Sequence, residues 1–304
     1  MATMDIRQLN ALVAVVDHGT FSAAASALHT VQSNVSTHIL RLERELDVAL
    51  IDRTSGTLTE EGVLVVERAR RIQTELEAIA LDVTALHSEV GGVVKLGLIG
   101  TTGRWLSPKL LDSISETHPK IIVQIVDATT SSLIPLVVQG NVDGAVVNLP
   151  ISHPDILIEP LFEEEPMLVA PKDHPLAQFD KILPEHLAAY PLLLNPKGVP
   201  FRDSLDQDLA KEDITLTPKA EVDGMRLLAS LAADGFGAAV LPATAAQGSE
   251  EWKRIPLPGF TRRVVGFAVN RRVPLSATAR AVRDALKKTI SDHGSHQDGI
   301  FMAA

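Results

Sequence analysis

Residues 20–53 read TFSAAASALHTVQSNVSTHILRLERELDVALIDR. In the first part, Phe21, Ala24, Ala25 and Leu28 recur at the i, i+3, i+4 and i+7 spacing of one helix face. Thr20 stands before them in the position of an N-cap. His29-Thr30 breaks the pattern, and a second helix then sets Val35, Ile39, Leu42 and Leu46 on one face. Its remaining faces carry Gln32, Ser33, Asn34, Ser36, Thr37, His38 and Arg41. A buried helix, a tight turn and a half-buried helix with a hydrogen-bonding face have the form of a helix-turn-helix that reads double-stranded DNA. The same spacing also fits two packed helices of an all-α bundle.

Outward from this stretch, Ile6, Leu9, Leu12, Val13 and Val16 predict an earlier helix over 5–17 with one apolar face. Residues 47–59, DVALIDRTSGTLT, carry β-branched residues around Thr54-Ser55-Gly56, which predicts a small hairpin or wing. Thr59 then caps a long helix to about His87, with Val66, Ala69, Ile72, Leu76, Ile79, Val83 and Leu86 as its apolar positions. From Ala69 the intervals alternate three and four, an a/d seam. Such a helix is about 40–45 Å long at 1.5 Å per residue. A narrow seam on an otherwise wet helix suits pairing with a second copy, and packing on the helix's own domain is the other reading.

Composition bounds the rest. The 304 residues are 45% hydrophobic and 22% charged, a globular balance too long for one ordinary core. No apolar run is long enough to cross a bilayer, and MATMDIRQLN lacks the regions of a secretory signal, so we expect a cytoplasmic protein without membrane partners. There is no cysteine, which excludes disulfides, cysteine-ligated zinc and thiol redox sensing. The formal net charge is −10, and in residues 1–90 seven arginines face thirteen acids. Phosphate contacts supply much of DNA affinity, so this head must rely on symmetry and a few placed contacts.

Gly91-Gly92 marks a helix stop and a new domain. Strands are expected at 93–99, 121–126 and 142–147, with helices at 104–117 and 131–139 between them, a parallel β-α-β-α-β pattern. A second set follows, with strands at 167–171, 192–194, 238–242 and 263–270 and helices at 201–211, 223–234 and 276–290. The tail from 291 to 304 is expected to be flexible.

The segment from Leu9 to Gly62 resembles the N-terminal domain of LysR-type transcriptional regulators. The matches run in order through Gly19-Thr20-Phe21-Ser22, Ala24-Ala25, Leu28, Gln32, Val35-Ser36, Ile39, Leu42-Glu43, Leu46, Leu50, Arg53 and Leu58-Thr59. The rest of the chain fits the family's layout. The resemblance implies a winged helix-turn-helix over 1–59 and a dimerising coiled-coil linker helix over 60–90. An α/β effector-binding domain follows over 91–290. That domain is similar to type 2 periplasmic binding proteins. Its first subdomain takes about 91–161 and 268–290, and its second takes 162–267. It also implies a bacterial regulator, acting as a dimer or tetramer on a pseudo-palindromic promoter and touching RNA polymerase. The lack of cysteine separates this chain from the peroxide-sensing relatives that work through a cysteine pair.

By resemblance, Gln32, Ser33 and Ser36 approach bases and phosphates, with Asn34, Thr37 and Arg41 on the same surface and Arg53 in the wing near the minor groove. Three positions depart from the family: Ser33 stands at a usual proline, Thr37 at a frequent arginine, and Asp47 at a turn glycine, where it should adopt a left-handed conformation. His38 is either a phosphate contact or a solvated side chain. Strand ends followed by helices supply a ligand site. Gly100-Thr101-Thr102-Gly103 and the loop with Thr129 and Ser131 are its hydroxyl-rich parts, and by resemblance Thr101 and Thr129 hold an effector carboxylate. Asn148 ends the third strand, where the family sometimes has arginine. Across the cleft, Phe201 is expected to wall the pocket, and Lys197 or Arg202 either pairs with an anion or is a solvated charge.

Catalysis has no support. G-x-S-x-G, H-E-x-x-H and Walker patterns are absent, and Gly235-Phe236-Gly237 follows a helix and precedes a strand, the reverse of a dinucleotide loop. We therefore expect no enzyme, metal or cofactor. The alternative to a DNA-binding regulator is a cytoplasmic solute-binding sensor acting through protein contacts, with weak DNA affinity.

Overall fold

The computed structural model describes residues 4–87, 90–246, 252–294 and 296–303. Contacts divide the chain into two units, one made by the N-terminal eighty residues with 139–141, the other by the remainder.

The N-terminal unit starts with α1 (Ile6–His18), whose N-cap Asp5 and Gln8 form a reciprocal capping box, with Gln8 N–H donating to Asp5 at 3.0 Å. Gly19 ends it with φ 75, and Thr20 caps α2 (Phe21–Ala27) by accepting the Ala23 amide at 3.1 Å. After the turn at His29 comes α3 (Gln32–Leu46), closed by Asp47 at φ 55, the left-handed conformation foreseen for that residue. Leu9, Leu12, Val13, Ala24, Ala25, Val35, Ile39 and Leu42 make the core. Ile6 and Val16 stay exposed, because the ridge that α1 packs inward is Leu9, Leu12 and Val13 broadened by Ala11, Ala14 and Val15. Leu28 also falls outside the core, at the C-cap of α2.

The wing is reduced to a single antiparallel bridge between Ile51 and Leu58. Asp52 accepts the Thr54 and Ser55 amides at 2.7 and 3.1 Å and closes the loop before a longer ladder can form. The Ser55 and Thr54 amides hold the Asp52 carboxyl below its usual range. α4 (Glu60–His87) begins at Thr59, whose hydroxyl accepts the Gly62 amide at 3.0 Å. Gly62 has no substitute there, since a Cβ would collide with the Leu50 carbonyl. The apolar seam of α4 splits in two. Val66 and Ala69 are buried in the head's core, whereas Ile72, Leu76, Ile79 and Val83 are exposed. Residues 88 and 89, between α4 and the expected stop at Gly91-Gly92, lie outside the described residues.

The second unit opens with β1 (Gly92–Leu98), α5 (Gly100–Thr117), β2 (Ile121–Asp127), α6 (Thr130–Gln139) and β3 (Gly144–Asn148), the expected alternation, with β1 parallel to both β2 and β3. β4 (Ile156–Glu164) follows, unforeseen because Pro160 interrupts it. The proline is accommodated where the register slips between Val265 and Gly266 of the neighbouring strand. The chain then builds β5 (Pro166–Pro171), α7 (Pro184–Ala188), β6 (Leu192–Leu194), α8 (Pro200–Ala210), β7 (Pro218–Glu221), α9 (Met225–Ala233), β8 (Ala239–Pro242) and β9 (Trp252–Pro256). It returns through β10 (Arg263–Asn270) to α10 (Ala277–Gly294) and β11 (Ile300–Met302).

The strands form two sheets, β11-β4-β10-β3-β1-β2 and β7-β6-β8-β5-β9. Each sheet therefore defines a subdomain, and the connections between them leave β4 at Glu164 and re-enter at Arg263. One core runs through the first subdomain, with Trp105 edge-on to Phe162 at 5.6 Å, and continues into the second through Met167, Val169, Leu193, Leu228 and Leu241. A further core, including Leu168, Leu187 and Leu205, lies within the second subdomain.

The tail, expected to be flexible, holds regular structure among its described residues. α10 continues to Gly294, and β11 adds an antiparallel strand to β4, pairing Ile300 with Glu164 and Met302 with Phe162. The edge of β4 offers free backbone groups, Ile300 buries its side chain, and the Arg262 guanidinium lies 3.4 Å above the Phe301 ring.

Candidate nucleic-acid interface and ligand cleft

α3 buries Val35, Ile39 and Leu42 and leaves Gln32, Ser33, Asn34, Thr37 and Arg41 exposed, with Ser36 half-buried beside them. The split follows from the 3.6-residue period. Its N-cap, Val31, makes no side-chain cap, so the positive end of the helix is open to an acceptor. Two hydroxyls and an amide are already engaged locally: Thr37 donates to the Ser33 carbonyl at 2.7 Å, and Asn34 donates to the Thr30 hydroxyl at 2.9 Å. His38 is half-buried with Nδ1 enclosed, so it is not a freely solvated side chain. Arg53 is 72% exposed and lies 3.3 Å from Glu43. Glu43 also accepts the Leu50 and Ile51 amides at 2.9 and 3.4 Å and so fixes the wing to α3. Its role was not foreseen from sequence, although it sits inside the motif Leu42-Glu43.

In the second unit the strand ends converge as expected, but the local geometry differs. Gly100-Thr101-Thr102-Gly103 is the first turn of α5 and not a loop, with the Gly103 amide bonded to the Ile99 carbonyl at 2.7 Å. Thr101 is buried and its hydroxyl accepts from Arg263 Nη2 at 3.2 Å. Thr102 is fully buried and its hydroxyl has no hydrogen-bond partner among the described residues. Thr129 lies exposed before α6, its hydroxyl 3.0 Å from those of Ser131 and Ser132 and accepting the Ser132 amide. The Asn148 backbone amide donates to the Thr130 hydroxyl at 3.1 Å, while its Oδ1 is enclosed without a partner among the described residues.

Across from them the outcome for the cations is clear. Arg202 is 2% exposed and committed to Asp206 at 2.8 Å, to the Asn195 carbonyl at 3.0 Å and to Glu221, so it is neither a solvated charge nor a free anion ligand. Lys197 is exposed. Phe201 packs against the core of the second subdomain. Burial of apolar surface, not a ligand, accounts for its position.

Three polar side chains absent from the sequence-based set, Arg263, Arg226 and Asn195, are central. Arg263 donates through Nε at 2.8 Å and through Nη2 to Glu164, a carboxylate with no exposed surface that also receives the amide and hydroxyl of Thr244 at 2.8 Å. Arg226, at the start of α9, pairs with Asp127 at the end of β2. Asn195, at the end of β6, donates to the Val222 and Asp223 carbonyls at 2.8 and 3.3 Å. Among the described residues no cluster of three or more His, Asp or Glu can hold a metal, and no helix is long and apolar enough to cross a membrane.

A helix-turn-helix head on a chain whose remainder forms two α/β subdomains, with charged pairs joining their strand ends, is the architecture of a DNA-binding regulator. The chain belongs to the LysR family of transcriptional regulators, which are not enzymes: residues 6–63 match the bacterial regulatory helix-turn-helix protein of the lysR family, and 87–291 match the LysR substrate binding domain. It is 29% identical over 299 residues to the DNA-binding transcriptional dual regulator OxyR of Escherichia coli (strain K12), covering 95% of this chain and 97% of that one. It is 30% identical over 298 residues to a probable hydrogen peroxide-inducible genes activator of Mycobacterium leprae, covering 94% of each. Among solved structures, a full-length OxyR variant from Pseudomonas aeruginosa with a cysteine replaced by aspartate matches with a TM-score of 0.74, 25% identity and coverage of 94% and 97%. CbnR in complex with its target DNA shares the fold, with a TM-score of 0.65, 22% identity and coverage of 94% and 100%.

Proposed function

We propose that the protein is a cytoplasmic, ligand-responsive regulator that binds a pseudo-palindromic promoter as an oligomer. In this reading residues 1–59 form its DNA-binding domain, 60–90 its dimerisation helix and 91–290 its effector domain. Gln32, Ser33, Asn34, Ser36, Thr37, Arg41 and Arg53 meet the DNA. The observation that carries it is the division of α3, which buries its apolar residues and presents Gln32, Ser33 and Asn34 at an uncapped helix start. The exposed Ile72, Leu76, Ile79 and Val83 of α4 supply the pairing surface that two half-sites require.

The effector is a small organic molecule with a carboxylate, held between the subdomains by Thr101, Thr102, Gly103, Thr129, Ser131 and Asn148, with Lys197 at the edge. Several relatives are named as hydrogen peroxide-inducible activators. This chain has no cysteine, so its signal is bound rather than transferred to a thiol. The effector acts by preferring one arrangement of the subdomains over another.

Fluorescence anisotropy of the intact protein tests this, using duplex from the DNA flanking its gene against random duplex at two salt concentrations. Preference for the flanking DNA, with affinity falling as salt rises, is the expected result. Equal binding to random duplex would remove the regulator reading in favour of a solute sensor.

A further inference from the structure

The charges gathered at the start of α5 narrow the class of effector. This argument rests on the cleft reading above. Asp127 ends β2 in the first subdomain, and Arg226 opens α9, which belongs to the second. Their side chains pair across the boundary while remaining 40% and 63% exposed. A Cβ on Gly100 would stand 3.1 Å from both Asp127 Oδ1 and Arg226 Nε, so the pair lies directly over the first turn of α5, next to Thr101. Ion pairs this open to water contribute little net stability, and a ligand can part them readily.

The remaining charge in contact with Thr101, Arg263, is already neutralised by buried Glu164. The charges touching Gly100 and Thr101 therefore sum to zero, with one positive and one negative group free to exchange partners. A simple carboxylate placed here gains Arg226 and the amides at the head of α5, but it leaves Asp127 unpaired and faces its charge. A ligand with both signs satisfies both poles.

We propose that the effector is a zwitterion of the α-amino acid type, its carboxylate on Arg226 and the first turn of α5, its ammonium on Asp127. The test is thermal-shift screening of the full-length protein with the proteinogenic L-amino acids, followed by calorimetric titration of any hit. Each hit is compared with its decarboxylated amine and its deaminated acid. The expected result is one or more amino acids that bind at least about tenfold tighter than both single-charge analogues. Asp127→Asn should weaken that amino acid by at least about tenfold while narrowing its advantage over the deaminated acid, and Arg226→Gln should weaken both. Circular dichroism confirms that each variant is folded. If the deaminated acid binds as well as the amino acid, or Asp127→Asn changes nothing, the zwitterion is refuted and the carboxylate cleft stands. If neither amino acids nor carboxylic acids bind or alter promoter affinity, the cleft reading falls with it.

Discussion

Glu43 accepts the backbone amide of Leu50 at 2.9 Å, and through that bond α3 holds the turn that follows it. The same carboxylate receives the Ile51 amide and the Arg53 guanidinium. Glu43→Ala removes all three contacts and leaves two amides without their acceptor. The loss should be about 1–3 kcal/mol in urea unfolding, with weaker promoter binding in anisotropy. A variant of unchanged stability and affinity would show that the wing is positioned by other means.

The exposed half of the α4 seam should carry self-association. Leu76 and Ile79 are 41% and 59% exposed in the single chain, so glutamates there cost the folded protomer little. In a paired helix each buried side chain of this kind contributes about 1.5–3 kcal/mol. Leu76→Glu with Ile79→Glu should therefore shift sedimentation velocity toward monomer while helix content by circular dichroism is kept. A variant that sediments like the parent would place the interface elsewhere.

Arg263 is the only partner cation seen on Glu164 among the described residues, and Glu164 has no exposed surface. Arg263→Ala strands that charge, for which losses of about 3–5 kcal/mol are usual. Replacing both members, Arg263→Met with Glu164→Gln, should recover much of the stability, because the buried charge is gone. Urea midpoints of the single and double variants decide this; a double variant as unstable as the single one would contradict the account.

Asp143 sets a pH dependence. Burial pushes its carboxyl above the ordinary value, although it accepts the Lys95 amide at 2.7 Å. In the unfolded chain it titrates at its ordinary value of 3.8, and in the folded protein only at higher pH. The cost of the buried charge is thus absent below 3.8, sets in as pH rises through the raised value, and persists at neutrality. Asn keeps an acceptor for the Lys95 amide without the charge. Asp143→Asn should be more stable than the parent at pH 7 and equal to it below 3.8 in thermal unfolding. A constant difference across that range would assign the effect to packing.

The chain shows plainly which information is local. Thr20, Thr59 and Asp47 were assigned their capping and left-handed roles from neighbours a few residues away, and the structure places them so. The helices of the head and the alternating strands and helices after Gly92 follow from periodicity, which is fixed by backbone geometry. Where the sequence misled, the cause was a distant partner. No strand was expected over 156–164, whose Pro160 is accommodated only by the register slip at Gly266, and the tail gave no helical or strand period until β4 offered it an edge. Arg202, two residues into a helix, gave no local sign of the Asn195 carbonyl and Glu221 that enclose it.

By itself, then, the sequence determined the reading head, the long seam-bearing helix, the family and the absence of thiol chemistry. Each rests on residue identity or on spacings shorter than two helical turns. Tertiary structure alone decided how the cleft is charged. Arg226 meets Asp127, and Arg263 meets Glu164, each across 99 residues of chain, while Arg263 reaches Thr101 across 162. No periodicity encodes such pairs, since each exists only when two sheets have folded and brought the ends of unrelated strands together.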